Sequence, residues 1–261
     1  MSKAKTNRTV LITGSTSGIG LGIAIAFATK GYNIVFNGLE NNGAEVAGSI
    51  AAQHKIDHLF SDANMLQPSA LRTLVNQCVQ VFGGVDILVN NAGVQHVSSI
   101  ENFPESKWDE IIGVNLTSAF HLTKAVWPHM KARQFGRIIN IASAHGMSAS
   151  ENKSAYVASK HGLIGLTKAT ALEGAPFNIT CNAICPGYVK TPLVEKQLSD
   201  QMKIHNLSEE EVVRRVILAK HAVKEFVPVG IIAEMVLLVA ADSASTITGA
   251  TFPIDGGWSA Q

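Results

Sequence analysis

The sequence predicts an α/β fold in which helices cover both faces of a doubly wound parallel sheet. Short β-branched runs alternate with helix-length segments, these runs are apolar throughout, and 46% of the 261 residues are hydrophobic. Continuous rather than alternating apolarity indicates strands that are buried on both faces. The predicted strands are Thr9–Thr13, Asn33–Asn37, Ile56–Phe60, Asp86–Asn90, Arg137–Ala142, Ile179–Ile184 and Ala250–Ile254.

Helical segments such as Gly20–Lys30, Ser69–Phe82 and Tyr156–Gly174 lie between the strands. No repeat or linker divides the chain, so we expect a single domain. The stretch at about 192–228 has no strand pattern, and Ser208-Glu209-Glu210-Glu211 is spaced as a capping box that opens an amphipathic helix. Such an insertion is either a lid over the site or an ordinary helix pair, and we predict the lid.

Composition and charge exclude several classes of protein. The 21 basic and 20 acidic residues leave a net charge of +1, which does not suit a nucleic-acid binder. No apolar run reaches the ~18 residues of a membrane span, and the first nine residues are polar, so a cytoplasmic protein is expected. The three cysteines are too sparse for a disulfide framework or a metal site, and we expect buried free thiols.

The first predicted strand leads into Thr13-Gly14-x-x-x-Gly18-x-Gly20. Glycines at these positions allow a tight turn, let backbone N–H groups approach a pyrophosphate and let the helix start close to the sheet. A plain strand–helix connection would also use glycine, but the strand before and the helix after it match the context of a dinucleotide site.

The end of the second strand bears on which dinucleotide binds. An acidic residue there binds the adenosine ribose of NAD, yet the expected position holds Gly38, and Glu40 follows two residues later. No Arg or Lys lies between Asn33 and His54 to bind the 2′-phosphate of NADP. NAD is therefore the predicted cofactor.

Tyr156 and Lys160 are four residues apart, and on a helix they share one face. An ammonium beside a phenol stabilises the phenolate, so we expect Lys160 to lower the pKa of Tyr156 and make it a proton acceptor near neutral pH. An isolated pair would more often be a surface contact. Here Ser143 and Asn90-Asn91-Ala92-Gly93 accompany it at the ends of predicted strands, and Asn115 lies in the helix-like stretch that follows the second of these.

Together these motifs, with Pro186-Gly187, resemble the short-chain dehydrogenase/reductase family over residues 10–258. The resemblance implies a Rossmann fold, a nicotinamide coenzyme and a homotetramer packed through the catalytic helix. It also implies that Tyr156 takes the hydroxyl proton while hydride passes to the nicotinamide, and that Ser143 hydrogen-bonds the substrate oxygen. Lys160 would hold the ribose and tune Tyr156, and Asn115 would hold a water in a proton relay.

The resemblance further implies which residues contact the coenzyme. They come from the glycine-rich loop, the ends of the second and third strands, the Asn-Asn-Ala-Gly turn, the catalytic helix and the stretch after Pro-Gly. The set is Gly14, Thr16, Ser17, Gly18, Ile19, Gly20, Leu39, Asp62, Ala63, Asn91, Ala92, Gly93, Tyr156, Lys160, Val189 and Thr191.

Segments outside the shared motifs are similar to the branch of this family that acts on short 3-hydroxy acids. That similarity implies a substrate carboxylate held by Gln95, His145, Lys153 and Gln197. Lys153 lies three residues before Tyr156 and His145 two after Ser143, so both can offer a cation or a donor near the reacting carbon. Tyr188 departs from the pattern, which has Trp there, but it keeps an aromatic wall. The predicted partner is a small anionic hydroxy or keto acid.

Two other functions stay open on the sequence. One is a reductase of another ketone or an acetoacetyl thioester; a thioester has no carboxylate at its reacting end, which would leave Lys153 and His145 without a partner. The other is a non-catalytic dinucleotide sensor. Loss of Tyr156, Lys160 or Ser143 would favour the sensor, and all three are present.

Overall fold

The computed structural model describes residues 8–191, 194–195, 198, 202 and 206–260. They contain a seven-stranded sheet in the order β3-β2-β1-β4-β5-β6-β7, and each pair of neighbouring strands is parallel. The strands are β1 Thr9–Ile12, β2 Asn33–Asn37, β3 His58–Ser61, β4 Ile87–Asn90, β5 Gly136–Ile141, β6 Ile179–Pro186 and β7 Thr251–Ile254. The predicted fold class is confirmed, and each predicted strand is present: β2 has the predicted bounds, and the bounds of the other six shift by one or two residues.

Helices cover both faces of the sheet. The α-helices whose bounds the described residues give are α1 Gly18–Thr29, α2 Gly43–His54, α3 Pro68–Phe82, α4 Glu105–Ile112, α5 Ser118–Arg133, α6 Ser154–Gly174, α7 Glu209–Val212 and α8 Val229–Ala240. Helices α1, α2 and α8 pack on one face, and α3, α5 and α6 pack on the other. None of the helices formed by the described residues is long and apolar enough to cross a membrane.

The two layers explain why the strands are apolar at every position. In β1, Val10 and Ile12 belong to the core on one face, while Leu11 between them belongs to the core on the other. All three are 0% exposed. The cysteines likewise are buried free thiols, as expected.

The strand order places a crevice at one edge of the sheet. From β1 the chain moves outward to β2 and β3, then returns to pair β4 with the other side of β1. The loops after β1 and β4 therefore diverge, which is where open α/β sheets bind ligands. The residues after β5 and β6 reach the same edge because all the strands are parallel.

Gly20 lets the first turn of α1 lie against the loop that follows β1. A Cβ atom at this position would lie 2.2 Å from the Gly14 carbonyl oxygen and 2.5 Å from Asn91 Nδ2. Gly20→Ala must push these groups apart, and overpacking of this kind costs about 1–3 kcal/mol. We expect Tm, measured by calorimetry, to fall by several degrees.

Gly48→Ala is the matched control for that substitution. Gly48 lies inside α2, and nothing stands within 4 Å of the Cβ atom that the substitution adds. Alanine should leave Tm unchanged or raise it, since it favours the helix over glycine. An equal fall in Tm for both variants would contradict the packing argument.

The described residues of the predicted insertion include helix α7, and its capping box is confirmed. Ser208 Oγ accepts from the Glu211 N–H at 3.4 Å, and Glu211 Oε2 accepts from the Ser208 N–H at 3.3 Å. A wide π-helical turn over Val213–Ile217 continues the helix. Its apolar side packs into a small cluster that includes Tyr188. The role of this segment as a lid stays a prediction.

Candidate active site

A cleft of about 1420 Å³ lies between the loops that follow β1 and β4. Most of the predicted coenzyme contacts line it: Gly14, Ser17, Gly18, Ile19, Leu39, Ala63, Asn91, Ala92, Gly93 and Thr191. Gly14 and Gly18 have φ angles of +59° and +54°, in the left-handed region that glycine adopts without strain. The loop thus has the shape that lets backbone N–H groups face a pyrophosphate, so the cleft fits a dinucleotide.

Asn91 and Thr13 join the two loops that form this cleft. Asn91 Nδ2 donates to the carbonyl oxygens of Thr13 at 2.9 Å and Gly14 at 3.0 Å. Thr13 Oγ1 accepts from the backbone N–H groups of Asn91 and Ala92, each at 2.9 Å. These four bonds hold the glycine-rich loop against the turn after β4 without the help of a ligand.

Gly38 stands just after β2, where an acidic residue was expected, and the carboxylate of Glu40 lies close to where a side chain at position 38 would be. Its carboxylate accepts hydrogen bonds from Thr16 Oγ1 and, at 3.1 Å, from Ser17 Oγ. A Cβ atom on Gly38 would lie 2.6 Å from Glu40 Oε2, so glycine is what admits this carboxylate. Burial alone would raise the pKa of Glu40, but the hydrogen bonds from Thr16, Ser17 and nearby backbone outweigh it and hold the pKa below its usual value.

Three of the predicted coenzyme contacts line neither this cleft nor the one that continues from it. Thr16 is buried and donates a hydrogen bond to Glu40, Gly20 lies within α1, and Asp62 is exposed just beyond β3. Their contacts with a coenzyme stay predictions.

A second cleft, of about 760 Å³, continues from the first. Ile19, Asn91, Gly93 and Thr191 line both. The second cleft brings together the predicted residues Ser143, Tyr156, Lys160, Gln95, His145, Lys153 and Val189. The predicted substrate residue Gln197 lies outside the described residues.

Tyr156 and Lys160 share one face of α6, but the expected lowering of the pKa of Tyr156 is wrong for the chain alone. Burial raises that pKa to about 12, and a hydrogen bond to Ser143 offsets this only in part. Burial also lowers the pKa of Lys160 to about 8. Lys160 Nζ donates to the Ile141 carbonyl oxygen at 2.8 Å and lies 5.6 Å from the centre of the Tyr156 ring. Desolvation therefore outweighs the ammonium at this distance.

Asn115 lies in a single π-helical turn, Gly113–Thr117, between α4 and α5. Its Oδ1 accepts from the Val94 N–H at 2.8 Å, and its Nδ2 donates to the Val94 carbonyl oxygen at 3.0 Å and to Ser159 Oγ at 3.2 Å. The buried amide thus ties the turn after β4 to α6. Turns of this kind often occur at functional sites. The predicted water relay through Asn115 stays a prediction.

Two residues of the second cleft carry buried side-chain nitrogens that lack partners. Among the described residues, neither His145 Nε2 nor Gln95 Nε2 has a hydrogen-bond partner. Burial, together with the charges of Lys153 and Lys220, lowers the pKa of His145 to about 3, so the imidazole is neutral at pH 7. Lys153 is 9% exposed and adds a cation to the same lining. Unpaired buried donors beside an ammonium suit a carboxylate.

Two residues that contact Tyr188 were not predicted from the sequence to belong to the site. Trp258 stacks on Tyr188, with ring centres 6.0 Å apart and planes at 6°, and meets His145 edge-on at 4.7 Å. His221 is buried beneath them, and its Nε2 accepts from the Tyr188 N–H at 3.3 Å. The closing Gly-Gly-Trp segment was a signal for Trp258. Nothing signalled His221, because an isolated histidine carries no spacing pattern.

The model of the short chain dehydrogenase family matches residues 8–202, and the chain belongs to this family. D-beta-hydroxybutyrate dehydrogenase of Rhizobium meliloti is 50% identical over 256 residues, which cover 97% of this chain and 99% of the relative. The protein of that name from Cupriavidus necator is 46% identical over 254 residues, covering 97% and 98%. A crystal structure of an actinorhodin polyketide ketoreductase variant with NADPH has a TM-score of 0.93 at 32% identity, covering 99% of this chain and 100% of that one.

Membership of this family and the shape of the glycine-rich loop agree on the ligand of the first cleft. The chain is an oxidoreductase that uses a nicotinamide dinucleotide. The coenzyme cleft opens directly into the cleft that holds Ser143, Tyr156 and Lys160.

Proposed function

We propose that this chain is an NAD-dependent dehydrogenase that converts D-3-hydroxybutyrate reversibly into acetoacetate. The observation that carries the proposal is the donor set of Lys153, His145 and Gln95 in the cleft that also contains Tyr156. A short 3-hydroxy acid places its carboxylate two carbons from the hydroxyl carbon, so one small cleft holds both groups. The two curated relatives that share about half of the sequence carry the name of this activity.

We propose the following roles at the reacting end. The bound coenzyme supplies the hydride acceptor. Ser143 Oγ accepts from the His145 N–H at 3.1 Å, and it would donate its own proton toward the substrate oxygen once substrate is bound. Tyr156 takes the hydroxyl proton, Lys160 holds the coenzyme ribose, and Asn115 holds the water that passes the proton on.

A reductase of a larger ketone or thioester is the second candidate, and the ketoreductase structure agrees with it in fold. Such a substrate has no carboxylate near the reacting carbon. The buried donors of His145 and Gln95 would then stay unpaired in the complex, at a cost of about 1–3 kcal/mol for each. The 3-hydroxy acid satisfies them, and we therefore favour it.

A substrate panel tests the proposal. Purified protein is mixed with NAD and with D- or L-3-hydroxybutyrate, 2-hydroxybutyrate or 3-hydroxypropionate, and the absorbance of the reduced coenzyme is followed. The reverse reaction is run with acetoacetate and with an acetoacetyl thioester. D-3-hydroxybutyrate and acetoacetate should give the highest kcat/KM. A higher kcat/KM for the thioester, or no turnover of any hydroxy acid, would overturn the assignment.

Glu40 supports NAD over NADP as the coenzyme. Its carboxylate stands at the end of β2, where an acid binds the adenosine ribose and repels a 2′-phosphate. We expect Glu40→Ala to lower kcat/KM with NAD by about 10–100-fold, because a charge-assisted hydrogen bond is lost. The efficiency with NADP should rise at the same time.

Initial rates with both coenzymes check this prediction. Glu45→Gln is the control, since Glu45 is exposed on α2 and does not line the cleft. The control should match the unaltered protein with either coenzyme. Equal values of kcat/KM for the unaltered protein with NAD and NADP would contradict the NAD assignment.

We infer that the chain assembles as a homotetramer through the catalytic helix and its neighbours. Two apolar side chains on these helices support this: Leu172 on α6 is 79% exposed and Phe120 on α5 is 46% exposed. A second copy of the chain would cover this apolar surface. Burial of such surface favours association by about 25 cal/mol per Å².

A further inference from the structure

We propose that the Tyr188 hydroxyl is a substrate-binding group, which orients the Lys153 ammonium and donates its own proton to the substrate carboxylate. This inference rests on the proposed function and deepens it. It adds to the predicted carboxylate residues a group that the sequence suggested only as an aromatic wall.

The direction of one hydrogen bond carries the proposal. Lys153 Nζ and the Tyr188 hydroxyl oxygen are 3.0 Å apart. An ammonium has only donors, so the phenol oxygen is the acceptor and its proton stays free for another acceptor. Both residues line the second cleft. A carboxylate between them can accept from the ammonium and from the phenol together.

Tyr188 is held in place by contacts that do not involve Lys153. Its ring stacks on Trp258, its N–H donates to His221 Nε2, and its carbonyl oxygen accepts from the Val227 N–H at 2.8 Å. A Cβ atom on Gly187 would lie 2.7 Å from His221 Nε2, so the backbone beside Tyr188 is packed closely on that ring. The hydroxyl therefore occupies a fixed position, and the long, flexible lysine side chain is the partner that it orders.

The unpaired nitrogens in the lining of the same cleft indicate how a carboxylate would be held. His145 Nε2 and Gln95 Nε2 are buried without partners among the described residues, and the His145 ring makes a T-shaped contact with Trp258, on which Tyr188 stacks. The lining of one cleft thus presents an ammonium, a phenol, an amide and, in the tautomer with the proton on Nε2, a neutral imidazole N–H. The two oxygens of a carboxylate offer about four acceptor positions, which match this number of donors.

Tyr188→Phe removes the hydroxyl and keeps the stacked ring. We expect KM for D-3-hydroxybutyrate to rise about tenfold while kcat stays within about twofold, because one hydrogen bond to a charged group is lost. KM for the neutral alcohol 2-butanol should not change. Tyr32→Phe is the matched control, since Tyr32 packs against Phe27 and lines neither cleft. Equal losses on acid and alcohol, or no loss on either, would overturn the proposal.

A double variant and a non-reacting ligand sharpen the test. If the hydroxyl acts with the ammonium, Lys153→Met combined with Tyr188→Phe loses less than the product of the two single losses. Butyrate has the carboxylate but no hydroxyl, and its affinity for the protein with NAD is measured by calorimetry. The affinity should fall about tenfold in Tyr188→Phe, whichever substrate is turned over. Losses that multiply, or an unchanged affinity for butyrate, would contradict the role of Tyr188.

Discussion

Tyr156→Phe should lower kcat for oxidation of D-3-hydroxybutyrate by roughly 10²–10⁴-fold, which is the usual contribution of general base catalysis. Phenylalanine keeps the ring that faces His145 at 5.7 Å but has no oxygen to take a proton. Initial rates with saturating NAD measure the loss. Near-normal kcat in the variant would remove Tyr156 from the mechanism.

Two further measurements separate a lost base from a damaged fold. Coenzyme affinity, followed by fluorescence, should stay nearly unchanged, because the variant removes only one of the predicted coenzyme contacts and leaves Lys160 and the glycine-rich loop untouched. The pH dependence should change as well. Burial holds the pKa of Tyr156 at about 12 in the chain alone, so kcat/KM of the unaltered protein should rise with pH as the phenol loses its proton. The variant should lose this rise; a parallel pH profile would mean that another group titrates.

The fold could be predicted because its signal is local. Val10, Leu11 and Ile12 are buried alternately in two cores, and this leaves an uninterrupted apolar run in the sequence. The glycine-rich loop and the capping box at Ser208 are equally local, since each depends on residues within a few positions. Such features can be predicted without knowing which other parts of the chain pack against them.

The features that could not be predicted are contacts between residues far apart in the chain and the effects of burial. Glu40 meets Thr16 across 24 positions, and His221 meets Tyr188 across 33, so no spacing rule reveals either pair. The pKa of Tyr156 was predicted with the wrong sign for a related reason. Spacing on a helix identifies Lys160 as a neighbour but does not show that the site is dry enough for desolvation to dominate.

Of the substitutions in the second cleft, Lys153→Met should have the largest effect on the ratio between kcat/KM for D-3-hydroxybutyrate and kcat/KM for a neutral alcohol. Methionine keeps the length and the apolar stem of the side chain but has no charge and no donor. A hydrogen bond to a charged group contributes about 1.5–3 kcal/mol, so kcat/KM for D-3-hydroxybutyrate should fall about 10–200-fold. A neutral alcohol never makes this contact, and its kcat/KM should hardly change.

The assay compares D-3-hydroxybutyrate with its methyl ester and with 2-butanol, each with NAD. Lys168→Met is the control on the same helix, because Lys168 is exposed and lines neither cleft. The control should behave as the unaltered protein on all three substrates. If Lys153→Met lowers kcat/KM equally on the acid, the ester and the alcohol, Lys153 supports the start of α6 rather than the substrate. The carboxylate assignment would then fail, while the assignment to a dehydrogenase that uses Tyr156 would stand.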